Sequence, residues 1–249
     1  MKGKGVLGLA MAALFLCSPS QAEVVTLTSL DWCPYTCANS PAQGVTSAIV
    51  RAAFKAQGYD LKVQFLPWNR AVFNARNEPD VAGYFPEYPG STPGFLLSPE
   101  IGFGPLGLVE AVDKPVVWKT IADLSSVRLG IVSGYLNTPE LDQRISAKAQ
   151  PIDMAMDDAS NIRKVGVGRI DAAVIDANVF NYLLKNDPSL QIVKTKVRMN
   201  PRLLDAKSLH VAFTDSDYGR KMAAVFAEGL KKIDVKTMQS SLIHTAFTE

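Results

Sequence analysis

Hydrophobic and polar positions in the first third of the chain switch between two periods. Residues 24–30 alternate in the manner of a short strand. From Val45 to Ala56 the apolar residues recur at helical spacing, and Gly58 suits a left-handed helix cap. The same two patterns then predict a strand, a helix and a strand at 61–65, 67–76 and 81–85. This alternation predicts an α/β fold with a largely parallel sheet.

A second α/β series begins with a strand predicted at 127–132. Thr138 is a candidate cap for a following helix, with Pro139 at its first position. Further predicted elements are helices at 158–167 and 177–186, strands at 171–176 and 208–214, an extended segment at 190–195, and amphipathic C-terminal helices.

The two series predict two lobes. Residues 86–105, with five prolines and four glycines, predict a long loop without regular structure. An extended segment near 106–112 leads into the second series, and the strand at 208–214 returns the chain to the first. Two such crossings form a hinge, and a cleft between hinged lobes is a common small-molecule site. The predicted division is a leader at 1–22, lobe 1 at 23–107 and 208–249, and lobe 2 at 108–207.

The N-terminus has the composition of a secretory signal peptide. Two lysines precede an apolar run at 6–16, and small and polar residues follow. The run is short for a membrane-spanning helix, which disfavours an uncleaved anchor. Leu16 precedes Cys17 where lipid attachment needs a small residue. We therefore expect cleavage after Ala22 and a periplasmic protein.

Charge excludes some partners of the mature chain. Removing residues 1–22 takes two lysines from the 26 basic residues and leaves 24 basic and 24 acidic residues. A formally neutral chain indicates neither a broad nucleic-acid surface nor a polybasic membrane patch. We expect no nucleic-acid partner.

The segment DWCPYTCANS raises a question about its two cysteines. Cys33 and Cys37 are the two cysteines left after cleavage, and an even count in an oxidising compartment favours a disulfide. Zinc usually requires four Cys or His ligands, whereas His210 and His244 lie far away in sequence. Redox motifs usually have two intervening residues, not three. We expect a loop held in shape by a disulfide, with no metal and no cofactor.

Six motifs, in order, resemble the family 3 extracellular solute-binding proteins, the group that serves polar amino-acid ABC importers. The resemblance covers nearly the whole mature chain. The motifs are DWCPY, AQGYDLKVQFLPWNRA, LLSPEIGFGPLGLV, ADLSSVRLGIVSGY, GRIDAAVIDANV and SLHVAFTDSDYGRKMAAVFAEGLKKI.

The resemblance implies a fold and a function. The fold is the type II periplasmic binding protein fold, with two α/β lobes joined by a two-strand hinge. The function is capture of a small polar solute, amino-acid-like or an amine or organic acid, in the interlobe cleft. The implied partners are that solute and an ABC permease at the inner membrane, and the implied state is a monomer.

Several candidate ligand residues have a structural alternative. Asp176 matches the acid that holds the α-ammonium in amino-acid binders of the family, but it is also placed to cap the next helix. Free N–H groups at 133–135 suit an anionic group, and Tyr135 is placed either to stack on a ligand or to pack its loop. Thr138 is either a helix cap or a ligand contact.

Other candidates come from strand ends and from the family's cleft. Trp32, Tyr35, Tyr84 and Phe85 follow predicted strands of the first lobe, at the end where ligands of such sheets bind. Asp31, beside Trp32, is a further candidate. Aromatic walls suit a zwitterionic or cationic solute, although core packing explains them equally well. Ser98, Gly104 and Leu106 match cleft positions of the family, and Pro-Gly-rich loops also serve as plain turns.

One departure from the family concerns the ligand's carboxylate. Typical amino-acid binders carry an arginine seven residues before the serine of the Ser-Pro loop, and here that place is about Ser91. Arg70 is a possible substitute, but the alternative is a surface arginine that covers Trp68. An ordinary α-amino acid is therefore a doubtful ligand.

Two other functional classes compete with solute import. The family's relatives include cyclohexadienyl dehydratases, which need an acid/base pair over the substrate. Glu87 and Glu100 are candidates for such a pair, but solvated surface positions explain them as well, and we expect no enzyme activity. A ligand-sensing accessory protein for a membrane receptor is the third class, and the sequence does not separate it from import.

Overall fold

A computed structural model describes residues 22–248, and the predicted signal peptide lies outside these residues except for Ala22. The first lobe begins with two parallel pairings, in which β1 lies between β2 and β3. The helices between these strands bury the predicted apolar faces, including Ile49, Val50 and Phe54. The elements are β1 (Glu23–Ser29), α1 (Val45–Lys55), β2 (Tyr59–Phe65), α2 (Trp68–Asn77) and β3 (Val81–Glu87).

The predicted long loop at 86–105 is wrong in part. It contains the end of β3, the short strand β4 (Phe95–Leu97) and the start of β5 (Gly102–Ala111). Both β4 and the start of β5 pair with a strand more than 90 residues later, at 205–214. Local composition favours a loop here, but long-range pairing satisfies the backbone and overrides it.

The second lobe contains a short parallel sheet. In this sheet β6 lies between β7 and β8, and β8 pairs antiparallel with the second half of β5. The segment 190–195, predicted to be extended, instead forms turns, and a separate short strand follows it. The elements are β6 (Leu129–Val132), α3 (Pro139–Ser146), β7 (Ile152–Ala155), α4 (Asp158–Gly166), β8 (Ala172–Asp176), α5 (Ala177–Asn186) and β9 (Val197–Met199), with 3-10 turns at Ile121–Ser126 and Pro188–Leu190.

Two strands cross between the lobes. The strand β5 pairs through 102–106 with β10 (Asp205–Thr214) and through 106–110 with β8. The strand β10 continues from this pairing into lobe 1, where it pairs antiparallel with β3 and β4. Strand order across the molecule is therefore β2-β1-β3-β10-β5-β8-β6-β7. The predicted lobe boundaries fall within these two strands.

The C-terminal helices return to lobe 1. The helix α6 (Asp217–Leu230) packs Phe226 against Phe54 and Phe213, with the ring centres 5.0 and 5.6 Å away. The final helix α7 (Val235–Thr248) is tied to β5 by Gln239, whose side-chain amide both donates to and accepts from the backbone of Phe103. The start of β5 is thereby fixed to lobe 1.

Candidate functional site

The ends of several parallel strands converge between the two lobes. In lobe 1 the chain leaves β1 toward Trp32 and leaves β3 at Glu87 and Tyr88. In lobe 2 it leaves β6 toward Tyr135 and β8 at Asp176. Ligands of open α/β sheets bind outside such carboxyl ends. The topology therefore places a candidate cleft between these ends.

Aromatic rings from both lobes enclose a small cavity in this cleft. Its volume is about 20 Å³, which is room for roughly one water molecule. Tyr135 of lobe 2 stands edge-on to both tryptophans of lobe 1, with ring centres 6.5 Å from Trp32 and 5.8 Å from Trp68. The lining residues are Leu30, Trp32, Trp68, Pro86, Glu87, Tyr88, Tyr135, Leu136 and Leu209.

Trp32 contacts a buried carboxylate of the opposite lobe. Its indole Nε1 donates a hydrogen bond of 3.1 Å to Oδ2 of Asp158, the first residue of α4. Desolvation raises the pKa of Asp158 to about 7, and the Trp32 hydrogen bond opposes the rise. The nearby acids Asp157 and Asp176 raise it further. Among residues 22–248, no Lys, Arg or His side chain forms an ion pair with this carboxylate.

A second contact between the lobes joins Tyr35 to Asp176. The phenol lies 3.1 Å from Oδ2 of Asp176, and the Asn178 amide donates to the phenol oxygen at 2.8 Å. Asp176 also caps α5 by accepting from the backbone N–H groups of Asn178 and Val179. Burial raises the pKa of Asp176 to about 7, whereas these hydrogen bonds lower it. Asp176 therefore both caps α5 and lies between the two lobes.

Gly104 makes the second contact possible. A Cβ at this position would lie 2.0 Å from Oδ2 of Asp176 and 2.5 Å from the phenol oxygen of Tyr35. A side chain on β5 would therefore push the two groups away from the hinge strand. The predicted cleft position of Gly104 thus has a steric reason.

Glu87 is buried, not surface-exposed as its solvated alternative supposed. Its Oε2 accepts from the Tyr84 phenol at 2.9 Å, and its Oε1 accepts from the backbone N–H of Tyr88 at 2.7 Å. Burial raises the pKa of Glu87 to about 7, and Lys207 is among the groups that oppose the rise. Sequence reasoning misplaced Glu87 because it treated the residue as part of a loop, whereas it ends β3.

Lys207 is a buried cation beside the cleft. It lies on β10, cross-strand from Gly104, and is 3 % exposed. Its Nζ lies 5.2 Å from the centre of the Tyr88 ring. No carboxylate of residues 22–248 lies within ion-pair distance of this amine. Desolvation lowers the pKa of Lys207, although Asp205, Asp142 and Glu87 oppose this.

The predicted anion site at 133–135 is largely occupied by the protein's own backbone. The N–H of Ser133 donates to Ala155 and the N–H of Tyr135 donates to Val132. The carbonyl of Gly134 instead accepts from Nε1 of Trp68 at 3.0 Å, which adds a third contact between the lobes. This turn therefore contributes an acceptor to the interface, and Tyr135 contributes a wall of the cavity.

Other predicted site residues lie around the cavity and do not line it. Arg70 is exposed on α2, consistent with its surface alternative, and Asp31 is exposed and accepts from the N–H of Ala38. Thr138 caps α3, with its Oγ1 accepting from Leu141. The remaining candidates, Tyr84, Ser98 and Leu106, are buried. Tyr84 donates a hydrogen bond to Glu87, Ser98 accepts one from the backbone of β10, and Leu106 pairs with β8.

Besides Glu87 and the aliphatic lining residues, four residues of the cleft were not predicted as ligand contacts: Trp68, Tyr88, Asp158 and Lys207. Tyr88 and Lys207 come from segments assigned to a loop and to the lobe boundary. Asp158 follows β7, a strand too short to show a period in the sequence. Trp68 was expected only to lie beneath Arg70. Asp176 ends a fully buried strand, but Asp158 begins α4 three residues after the partly buried β7, so the signal that pointed to Asp176 was absent for Asp158.

The cysteine loop adjoins this cleft. A disulfide joins Cys33 to Cys37. Trp32 precedes the closed loop and stacks on Tyr35 within it, with ring centres 4.8 Å apart, and the backbone N–H of Trp32 donates to the carbonyl of Thr36. The loop therefore holds together the two side chains that bind Asp158 and Asp176.

Residues 22–248 contain neither a candidate metal site nor a helix that could span a membrane. Nowhere in this range do three or more His, Cys, Asp or Glu side chains come together to form a possible metal site. None of the helices in the range has both the length and the apolar character to cross a membrane.

Comparison with solved structures identifies the fold. No family model matches the chain, and no curated protein matches it by sequence. A histidine kinase sensor domain similar to periplasmic binding proteins superposes with a TM-score of 0.74 at 16 % identity, over 90 % of this chain and 95 % of that one. The glutamate-bound ligand-binding core of GluR0 from Nostoc punctiforme gives 0.68 at 15 % identity, over 90 % and 100 %.

A third similar structure is an amino acid ABC transporter substrate-binding protein from Streptococcus pneumoniae bound to L-arginine. It gives a TM-score of 0.69 at 12 % identity, over 90 % of this chain and 94 % of that one. Such low identities establish the fold and not the ligand. The chain has the type II periplasmic binding protein fold, which confirms the predicted fold class.

Proposed function

We propose that this protein captures a small polar solute in the interlobe cleft and releases it without chemical change. The observation that carries the proposal is the construction of the cavity: its walls come from both lobes, and the chain passes between the lobes in β5 and β10. A cavity of this kind changes volume when the lobes rotate about the two strands.

Entry of a solute requires contacts between the lobes to separate. Three of them have a donor in lobe 1 and an acceptor in lobe 2: the hydrogen bonds from Trp32 to Asp158, from Tyr35 to Asp176 and from Trp68 to Gly134. The Asn178 amide adds a donor from lobe 2 to the Tyr35 phenol oxygen. A solute that offers its own donors to the same acceptors replaces these bonds on closure, so the bound and closed states stabilise each other.

Import is the leading setting for this binding. An N-terminal signal would deliver the protein to the periplasm as a monomer, and an ABC permease at the inner membrane would receive the solute. The similar structure named as a transporter substrate-binding protein supports this setting. The similar structure named as a histidine kinase sensor domain supports a second setting, in which closure is signalled to a membrane receptor.

Thermal unfolding of the chain from residue 23 tests the proposal. Amino acids, amines, opines and small organic acids are added one at a time. A solute that binds the folded state stabilises it by about 2.7 kcal/mol when its concentration is a hundred times its Kd, and the melting temperature rises accordingly. Asp176→Asn should reduce the shift given by a cationic solute, whereas Asp171→Asn, at the other end of β8, should not. If no solute class shifts the transition, the proposal is wrong.

A further inference from the structure

We propose that the solute is a compact organic cation, an amine or a quaternary ammonium, whose charged centre lies among the cleft rings beside Glu87 and faces Asp158 and Asp176. This inference rests on the proposed function and names the chemical class of its ligand. It differs from an amino-acid ligand because it assigns no role to a ligand carboxylate.

The charges that face the cleft are predominantly negative. Glu87 is a buried carboxylate that lines the cavity. Two further buried carboxylates, Asp158 and Asp176, accept hydrogen bonds from Trp32 and Tyr35. Lys207 is a buried cation over the Tyr88 ring. Further negative charge comes from Asp157, which acts on Asp158, and from Asp142 and Asp205, which act on Lys207. Arg70 is exposed, and Arg76 lies over the Phe95 ring behind Tyr84.

The cavity walls suit a cation more than a neutral solute. Four rings line the cavity, from Trp32, Trp68, Tyr88 and Tyr135. Ring faces attract cations, and cages of aromatic rings are a recurring way to bind ammonium groups. Lys207 already places its Nζ 5.2 Å from the centre of the Tyr88 ring. Because the cavity has room for about one water molecule, even a compact cation fits among the rings only when the lobes move apart, and a larger one would keep them further apart.

Tyr88 provides an independent sign of a ligand. Its side chain is 93 % buried, lines the cavity, and carries a hydroxyl with no hydrogen-bond partner among residues 22–248. Buried hydroxyls normally find a partner. A solute with an N–H or O–H group supplies one. Burial raises the pKa of this phenol, and the charges of Asp176 and Asp158 raise it further.

Burial of the three carboxyls predicts that protons are released when a cation binds. Desolvation raises the pKa of each of the three cleft carboxyls to about 7, so each is partly protonated near neutrality. A bound cation favours the ionised form and lowers these pKa values. Binding of a cation between pH 6 and 7 therefore releases protons. Binding of an anion at Lys207 would not release protons from these carboxyls.

Calorimetry with matched probes tests the proposal. The probes are choline, its uncharged carbon analogue 3,3-dimethylbutanol, the carboxylate-bearing glycine betaine, ethanolamine and acetate. We expect choline or ethanolamine to bind at least about tenfold more tightly than the neutral analogue, a difference of about 1.4 kcal/mol. We expect no gain from the carboxylate of glycine betaine. Titration in two buffers of different ionisation enthalpy should show proton release on binding.

Three variants check the assignment. Glu87→Gln, nearly isosteric, should weaken binding of the best cation about tenfold, whereas Glu100→Gln, at an exposed acid of the same segment, should not. Lys207→Met should tighten the same cation, because it removes a like charge. The proposal would be overturned if Glu87→Gln left the affinity for the cation unchanged, or if Lys207→Met weakened it.

The outcomes separate this inference from the proposed function. If acetate or an amino acid binds in the cleft and choline and ethanolamine do not, the protein is a solute-binding protein and the cation assignment is wrong. The same holds if binding requires the carboxylate of glycine betaine. If neither cation binds with a Kd below about 1 mM, the cation assignment is also wrong. The proposed function fails separately, when no solute class in the thermal screen stabilises the chain.

Discussion

Replacement of Asp158 by asparagine should stabilise the protein at high pH. Burial raises the pKa of this carboxyl from 3.8 to about 7. Each pKa unit corresponds to about 1.4 kcal/mol, so the ionised carboxylate costs the folded state up to about 4 kcal/mol. Asparagine keeps an oxygen that accepts from Nε1 of Trp32 and has no charge to desolvate.

The pH dependence gives the sign of the effect. Between the unfolded and folded pKa values the folded state binds more protons than the unfolded state, so wild-type stability falls as the pH rises through this window. The contribution is fully present below about pH 3.8 and is lost by about pH 7. From pH 5 to pH 8, the advantage of Asp158→Asn over wild type should grow by about 3 kcal/mol.

Urea unfolding at pH 5 and pH 8 measures this advantage. The control is Asp157→Asn, at the exposed neighbouring acid that caps α4. Asparagine caps helices as well as aspartate does, so the control should keep most of the wild-type pH dependence, with only a small stabilisation at pH 8 from removal of the charge beside Asp158. An advantage for Asp158→Asn that stays constant between pH 5 and pH 8 would show that Asp158 is not desolvated, and would refute the reasoning.

Three further results are expected. Gly104→Ala should lower the free energy of unfolding by about 1–3 kcal/mol, because its Cβ would overlap Asp176; an unchanged urea midpoint would contradict this packing. Replacing Cys33 and Cys37 by serine should cost about 2 kcal/mol, the closure entropy of so short a loop; a loss above about 4 kcal/mol would assign the disulfide a larger role. Trp68→Phe should remove about 1 kcal/mol from the closed form; small-angle X-ray scattering should then show a larger radius of gyration, and an identical radius would count against the contact.

Local pattern was sufficient to predict the elements whose partners are near in sequence. The helix from Val45 and the helix from Ala177 bury one apolar face each, and that face has a period visible in the sequence. The strands β4, β7 and β9 are three or four residues long and are defined by distant partners. A period cannot be recognised over so few residues.

The site was predictable where a polar or aromatic residue directly follows a recognised strand. Asp176 and Trp32 met that condition, and both lie in the cleft. Asp158 and Tyr88 follow strands whose ends were missed or misplaced. Lys207 differs, because its burial depends on which face of β10 turns toward Tyr88, and that face is set by pairing with β5.

The placement of the tryptophans should make intrinsic fluorescence sensitive to separation of the lobes. The chain has three tryptophans, and Trp32 and Trp68 each donate a hydrogen bond across the cleft. Trp118 lies apart from them, under the guanidinium of Arg202 at 5.0 Å. Two indoles therefore exchange a protein acceptor for solvent when the lobes separate, while the third keeps its surroundings. The wavelength of tryptophan fluorescence emission should therefore change when the cleft opens, without any attached dye. The contribution of Trp118 should stay constant.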